Sequence, residues 1–258
     1  MSSNETMQVF QVCDLHSLLK ICFKLRSEKY WSFRGHRNKT WALQPHHNIS
    51  QEELTSLFKS FNDRIKEFPK PDYLDEDNLW RWLFYAQHYG LKTPLLDWSS
   101  NPLVAVYFAV ENILSGADDD NDYGCVWVLH VSKDKFRWAD ELREQPFKRT
   151  ENDDTPIVDD WLMIKPPPIL SRLVRQSGLF TFHPHEKDHC MFCENDTHKE
   201  IVKIEIVPKN GVNPSKSIRQ SLGMQNLHHA GLFPDPAGVA KFVNYELRDL
   251  KPGKIIRD

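Results

Sequence analysis

The sequence predicts a mixed α/β fold, with a central mixed or split sheet flanked by helices. Helix-period apolar stripes near residues 14–29, 50–68 and 78–89 alternate along one chain with strand-like runs near 30–34, 94–98, 124–131, 174–182 and 200–207. Gly124 to Val131 is an almost unbroken apolar run, the pattern of a strand covered on both faces. Ile201 to Val207 instead alternates, with Val202, Ile204 and Ile206 set against Lys203 and Glu205. The 258 residues are 40% hydrophobic, enough for one large core. No internal repeat or long linker divides them, so the expectation is a single domain over 1–258 with its core near 14–248.

Asp14 caps a first helix running to about Lys29, with Leu15, Leu18, Leu19, Cys22, Phe23 and Leu25 inward. Tyr30 to Arg34 is a short strand that delivers Arg34 and Gly35 to its end. Ser50 and Glu53 have capping-box spacing for a second helix. Its stripe is Leu54, Leu57, Phe58, Phe61 and Ile65, and Pro69 and Pro71 follow its end. Residues 118–122 form a solvated acidic turn, without the full spacing of a calcium loop. Residues 143–160 carry many charges and few apolar side chains, so they are expected to be an exposed excursion. Pro166, Pro167 and Pro168 stop any regular element. Two helices close the chain, near Ser215 to Gln225 and Pro236 to Leu247, separated by Phe233, Pro234 and Asp235.

The chain is organised around Leu79 to Asn112. Leu79, Leu83 and Ala86 lie at core spacing on a helix that Gly90 is placed to end. Thr93 precedes Pro94 and is biased toward extended backbone, so Leu91 to Asp97 reads as a strand. A further helix begins at Pro102, with Ser100 or Asn101 as its cap, and holds the apolar run Leu103 to Val110. Gln87, His88, Asp97, Trp98 and Ser99 cluster at the junctions.

These signatures resemble the FRG domain family. Phe33-Arg34-Gly35 comes first, then Gln87-His88-Tyr89-Gly90, Leu95-Leu96-Asp97-Trp98 and Tyr107-Phe108-Ala109. Further along stand Arg175-Gln176-Ser177-Gly178-Leu179-Phe180 and Gly231-Leu232-Phe233-Pro234-Asp235, in the family's order over roughly residues 30–245.

A more distant resemblance is to ADP-ribosyltransferase folds of the arginine–serine–glutamate class. Tyr30 to Gly35 is similar to the opening strand of that class, and Trp98-Ser99-Ser100 with its following helix to the second motif. The resemblance implies that Arg34 holds the phosphates of NAD, that Ser99 braces it, and that Gly35, Gln87, Tyr89 and Asp97 help form the dinucleotide site. Where the class places a catalytic glutamate, this chain has Gln176. That substitution matters because cleaving the glycosidic bond of NAD builds positive charge on the ribose, which a carboxylate stabilises better than an amide. Asp97 and Glu186 are the substitute acids.

The residue types give the same candidates a chemistry of their own. A guanidinium at Arg34, beside a glycine, suits bidentate recognition of phosphate, whereas pairing with an acid such as Asp97 is the structural alternative. His88 follows a helix face and can act as acid, base or donor at a pocket mouth, or be satisfied by Asp97. The candidate catalytic residues are therefore His88, Ser99 and Gln176; Arg34, Gly35, Gln87, Tyr89 and Asp97 are the candidate binding residues. Cys190 and Cys193 have C-x-x-C spacing near His183, His185 and His189, but no second pair at finger spacing, so no metal site is expected. His228 and His229 can reach the same cleft. Most of the eight tryptophans read as core or cleft wall.

A formal charge of −3 gives no general basic footprint for nucleic acid. No clustered carboxylates suggest a metal-dependent nuclease. The start of the chain lacks secretory patterning, no run is long enough to span a membrane, and five irregularly spaced cysteines suit reduced thiols, so the expected location is cytoplasmic. Two function classes remain. One is an ADP-ribosyltransferase-like enzyme using NAD to modify a macromolecular acceptor, protein or nucleic acid, with a toxin or phage-defence role implied by the family resemblance. The other is a nucleotide- or phosphate-binding sensor without turnover.

Overall fold

In the computed structural model, an eight-stranded mixed sheet runs through the protein, and it describes residues 7–25, 30–45, 49–75, 78–111, 123–148, 154–184 and 201–246. The strands are β1 (Gln8–Val12), β2 (Tyr30–His36), β3 (Leu95–Ser99), β4 (Cys125–Val131), β5 (Phe136–Trp138), β6 (Leu162–Lys165), β7 (Gly178–Phe182) and β8 (Ile201–Ile206). Their spatial order is β1-β8-β4-β2-β3-β7-β6-β5. The pairs β1–β8 and β5–β6 are parallel and the others antiparallel. The expected mixed α/β architecture is therefore present, with the apolar run of β4 deep in the sheet.

The helices are α1 (Leu15–Leu25), α2 (Gln51–Ile65), α3 (Leu79–His88), α4 (Pro102–Ala109), α5 (Ser171–Arg175), α6 (Ser215–Gly223), α7 (His229–Leu232) and α8 (Pro236–Lys241). Their ends follow local chemistry. The Asp14 carboxylate accepts from Ser17 N–H at 2.8 Å, and the Ser50 hydroxyl from Glu53 N–H at 3.1 Å. Asn101 caps α4 and Pro102 occupies its first turn. Gly90 has φ of 90°, the left-handed conformation that ends α3.

Packing divides into three regions. Leu18 and Cys22 of α1 and Val104 and Tyr107 of α4 pack with Phe33, Val126 and Ile204. Helices α2 and α3 supply Leu54, Phe58, Trp80 and Leu83 against Leu95, Phe180 and Phe182. Leu43, Trp98, Trp127 and Leu129 form the third cluster.

Several expectations are corrected. The stretch 174–182 is a helix, a turn and then a strand: α5 ends at Arg175, Ser177 has φ of 49°, and β7 starts only at Gly178. Residues 143–160 are not simply an exposed excursion. Phe147 and Val158 are buried, Gln145 bridges Ile157, and the Trp80 indole donates to the Glu144 carbonyl at 2.8 Å. Phe23, placed inward by periodicity, is 68% exposed, because only one stripe of α1 meets the sheet. Trp41 and Trp138 are each 46% exposed, with Arg37 and Lys165 lying over their rings. The acidic turn 118–122, Glu186 and the Cys190–Cys193 pair fall outside the described residues.

Candidate functional site

The central seam of the sheet is open. Strand β2 pairs with β4 from Tyr30 to His36, but with β3 at Phe33↔Ser99. Beyond that pair the strands diverge, leaving a cleft of about 220 Å³. Arg34, Gly35, Asp97, Ser99, Arg172 and Gln176 line it, with Phe33, Val104 and Phe108 among the apolar walls.

Arg34 spans the seam. Its Nη1 donates to the Asp97 main-chain carbonyl at 2.7 Å, and its Nε donates to His36 Nε2 at 2.9 Å. The Asp97 carboxylate is farther away, 3.9 Å from Nη1 and 64% exposed. Burial pulls the Arg34 pKa down and Asp97 opposes the shift, but a guanidinium remains charged at neutral pH. His36 is buried, and its pKa is pushed down to about 3 by desolvation and by Arg34. A neutral ring keeps the lone pair that receives the Arg34 N–H. The site thus contains a fixed cation braced by a neutral histidine and a carbonyl.

Ser99 and Gln176 are in the cleft, yet their polar atoms serve the frame. The Ser99 hydroxyl donates to the Gln176 carbonyl at 2.7 Å and accepts from Asn101 N–H at 3.0 Å. Gln176 Nε2 donates to the Leu232 carbonyl at 3.2 Å, linking α5 to α7. Gly35 is explained by packing: a Cβ there would lie 1.9 Å from the Ala105 carbonyl oxygen and 2.6 Å from Ala109 N. Its small size admits α4 against β2.

Three sequence candidates do not line the cleft. Gln87 acts at its edge, donating to Asp97 Oδ1 at 3.1 Å and accepting from the Thr93 hydroxyl at 2.6 Å. Tyr89 is 61% exposed and packs on Tyr85, with ring centroids 4.8 Å apart. His88 is half-buried; burial and then Arg172 lower its pKa, while Asp235 opposes them. His229 hydrogen-bonds the Tyr107 hydroxyl at 3.0 Å and stacks on Phe233, so it belongs to the packing behind the cleft wall.

Arg172 is the cleft residue that sequence reasoning missed. It precedes the stretch 174–182 read as strand, and its usable signal is the neighbouring Arg175-Gln176 motif. Its guanidinium carbon sits 4.5 Å from the Phe233 ring centroid. Among the described residues there is no cluster of three potential metal-binding side chains, and no helix is long and apolar enough to cross a membrane.

A strand-borne Arg34-Gly35, an Asp97-Trp98-Ser99 strand and an apolar helix, gathered at one seam, define the class of domain. Residues 29–118 match the FRG domain family model, and the chain carries an FRG domain there. No curated protein and no solved structure matches the chain.

Proposed function

We propose that the cleft binds NAD or a related nucleotide through its phosphates, and that the protein is an ADP-ribosyltransferase-like enzyme modifying a macromolecule. The observation supporting this reading is the posture of Arg34. A guanidinium has five N–H donors; the contacts to His36 and Asp97 occupy two and fix its plane. Three remain for a ligand, and phosphate fits such a fork. Asp97 takes the electrostatic role that Gln176 cannot, because its exposed carboxylate stands at the cleft. In the reaction the ribose–nicotinamide bond breaks and nicotinamide leaves with the electron pair. The acceptor nucleophile bonds to the ribose carbon and gives up its proton to solvent, while Asp97 stabilises the transient positive charge. A toxin or phage-defence setting accords with the FRG resemblance and rests on that alone.

A second reading, a sensor that binds without turnover, is favoured by a specific observation: Ser99 and Gln176 are committed to internal hydrogen bonds. Calorimetry with NAD, beside a nicotinamide-release assay, separates the two. We expect Arg34→Lys to bind at least about tenfold more weakly, because an ammonium cannot reproduce the fork. Asp97→Asn is expected to bind while losing nicotinamide release. Equal affinity in wild type and Arg34→Lys, or no binding to either, would end the nucleotide reading. Binding without release by the wild type would assign the sensor role.

A further inference from the structure

The far wall of the cleft is built by a part of the chain outside the matched segment. Arg172 on α5 lines the cleft, and Phe233, following α7, lies beneath its guanidinium at 4.5 Å. Phe233 is itself held in place. His229 stacks on it at 4.2 Å with an interplanar angle of 16°, and Phe108 meets it edge-on at 6.1 Å. His229 is in turn tied to the Tyr107 hydroxyl at 3.0 Å. The Gln176–Leu232 hydrogen bond clamps the same two segments together one helical turn from Arg172.

The placement has a chemical consequence. An arginine over an aromatic ring is positioned through its face, leaving the N–H edge available for an anion. Among the described residues, Arg172 has this aromatic support and no acidic side chain in ion-pair contact. The nearby His88 has a lowered pKa, so it does not add a competing charge at neutral pH. Arg34 and Arg172 thus face one small cavity, with Asp97 as its lining acid.

We propose that Arg172, shelved on Phe233, is a second phosphate-binding cation, and that with Arg34 it selects a ligand bearing two linked phosphates over one bearing a single phosphate. This inference rests on the nucleotide reading above and narrows its ligand class to nucleoside diphosphates and their esters. It also gives the Gly-Leu-Phe-Pro-Asp segment a role: Phe233 orients Arg172 and is a positioning residue.

Calorimetry on the full chain with ADP and AMP as probes tests it, using Arg172→Gln, Arg172→Lys, Phe233→Leu and Arg34→Lys. The wild type is expected to prefer ADP by about tenfold or more, as two charge-assisted contacts replace one. Arg172→Gln should erase that preference while changing AMP affinity less than threefold. Arg172→Lys and Phe233→Leu should retain part of it. Arg34→Lys should weaken both ligands. Thermal unfolding accompanies each variant, and the half-exposed Arg172 is the change least able to disturb folding. An unchanged ADP-to-AMP ratio in Arg172→Gln, with binding still lost in Arg34→Lys, would overturn the second cation and leave the nucleotide reading standing. Failure of the wild type to bind either probe would overturn both.

Discussion

At the scale of single residues, His36 shows how the cleft depends on a group that does not line it. Arg34 Nε–H donates to its Nε2, and the Trp127 indole lies 3.2 Å from its Nδ1. A neutral ring has one lone pair, here on Nε2 for the Arg34 N–H; a doubly protonated ring would have none and would place a cation against Arg34. Desolvation, Arg34 and Lys203 all favour the neutral ring, against a weaker opposing contribution from the Trp41 backbone, giving a pKa of about 3. The sign of the pH effect follows. The folded pKa is below the unfolded value of about 6.5, so the stabilisation is fully present above that pH. It is lost progressively as pH falls from about 6.5 toward 3. His36→Gln retains an amide acceptor for Arg34 and cannot titrate. Urea denaturation at pH 7.5 and 5.0 should therefore show a smaller drop in midpoint for His36→Gln than for wild type. An equal drop in both would mean that His36 titrates normally.

Elements are decided partly by local signals and partly by what they pair with, and this sets what was legible. Capped helices such as α2 and α4 were readable because Ser50, Asn101 and Pro102 act within one turn of their own position. The apolar run of β4 marked a central strand. In contrast, β1, β5 and β6 went unread, as short segments whose strand state comes from pairing with β8, β6 and β7. Arg34, Asp97, Ser99 and Gln176 were recognisable from motifs. Arg172 was not, because its place at the cleft wall is set by α5 and by contact with Phe233, distant in sequence. Gly35 was noted for a different reason from the one that governs it. The close approach of α4 to β2 leaves no volume for a methyl group: Ala105 O and Ala109 N, both main-chain atoms, would be 1.9 and 2.6 Å away. Neither can rotate aside, so α4 must shift. Gly35→Ala should destabilise the fold by about 3 kcal/mol, at the upper end for overpacking. Chemical denaturation measures it directly; a loss below about 1 kcal/mol would mean that α4 moves more freely than this packing allows.

At the scale of the whole molecule, the family match and the sheet do not coincide. The FRG match covers residues 29–118, which contain β2, α2, α3, β3 and α4. Within that segment the two strands meet at Phe33↔Ser99 and otherwise diverge around the cleft. The ladders that satisfy their main-chain groups lie elsewhere: β2 pairs along its length with β4, and β3 with β7. Buried backbone N–H and C=O groups left without partners cost free energy that a short segment cannot recover. The apolar surfaces tell the same story. Val104, Val106 and Tyr107 of α4 belong to a cluster completed by Val126, Ile204, Ile218 and Leu232, while in α3 Trp80 meets Phe182 edge-on and Phe84 stacks on Phe180. Residues 29–118 expressed alone should therefore lack cooperative unfolding in urea and give a poorly dispersed amide NMR spectrum. Residues 7–246, which retain every strand of the sheet, should show one cooperative transition. A well-dispersed spectrum and a sharp transition from the 29–118 fragment would mean that the open β2–β3 seam is self-supporting. The cleft would then be a property of the matched segment rather than of the assembled sheet.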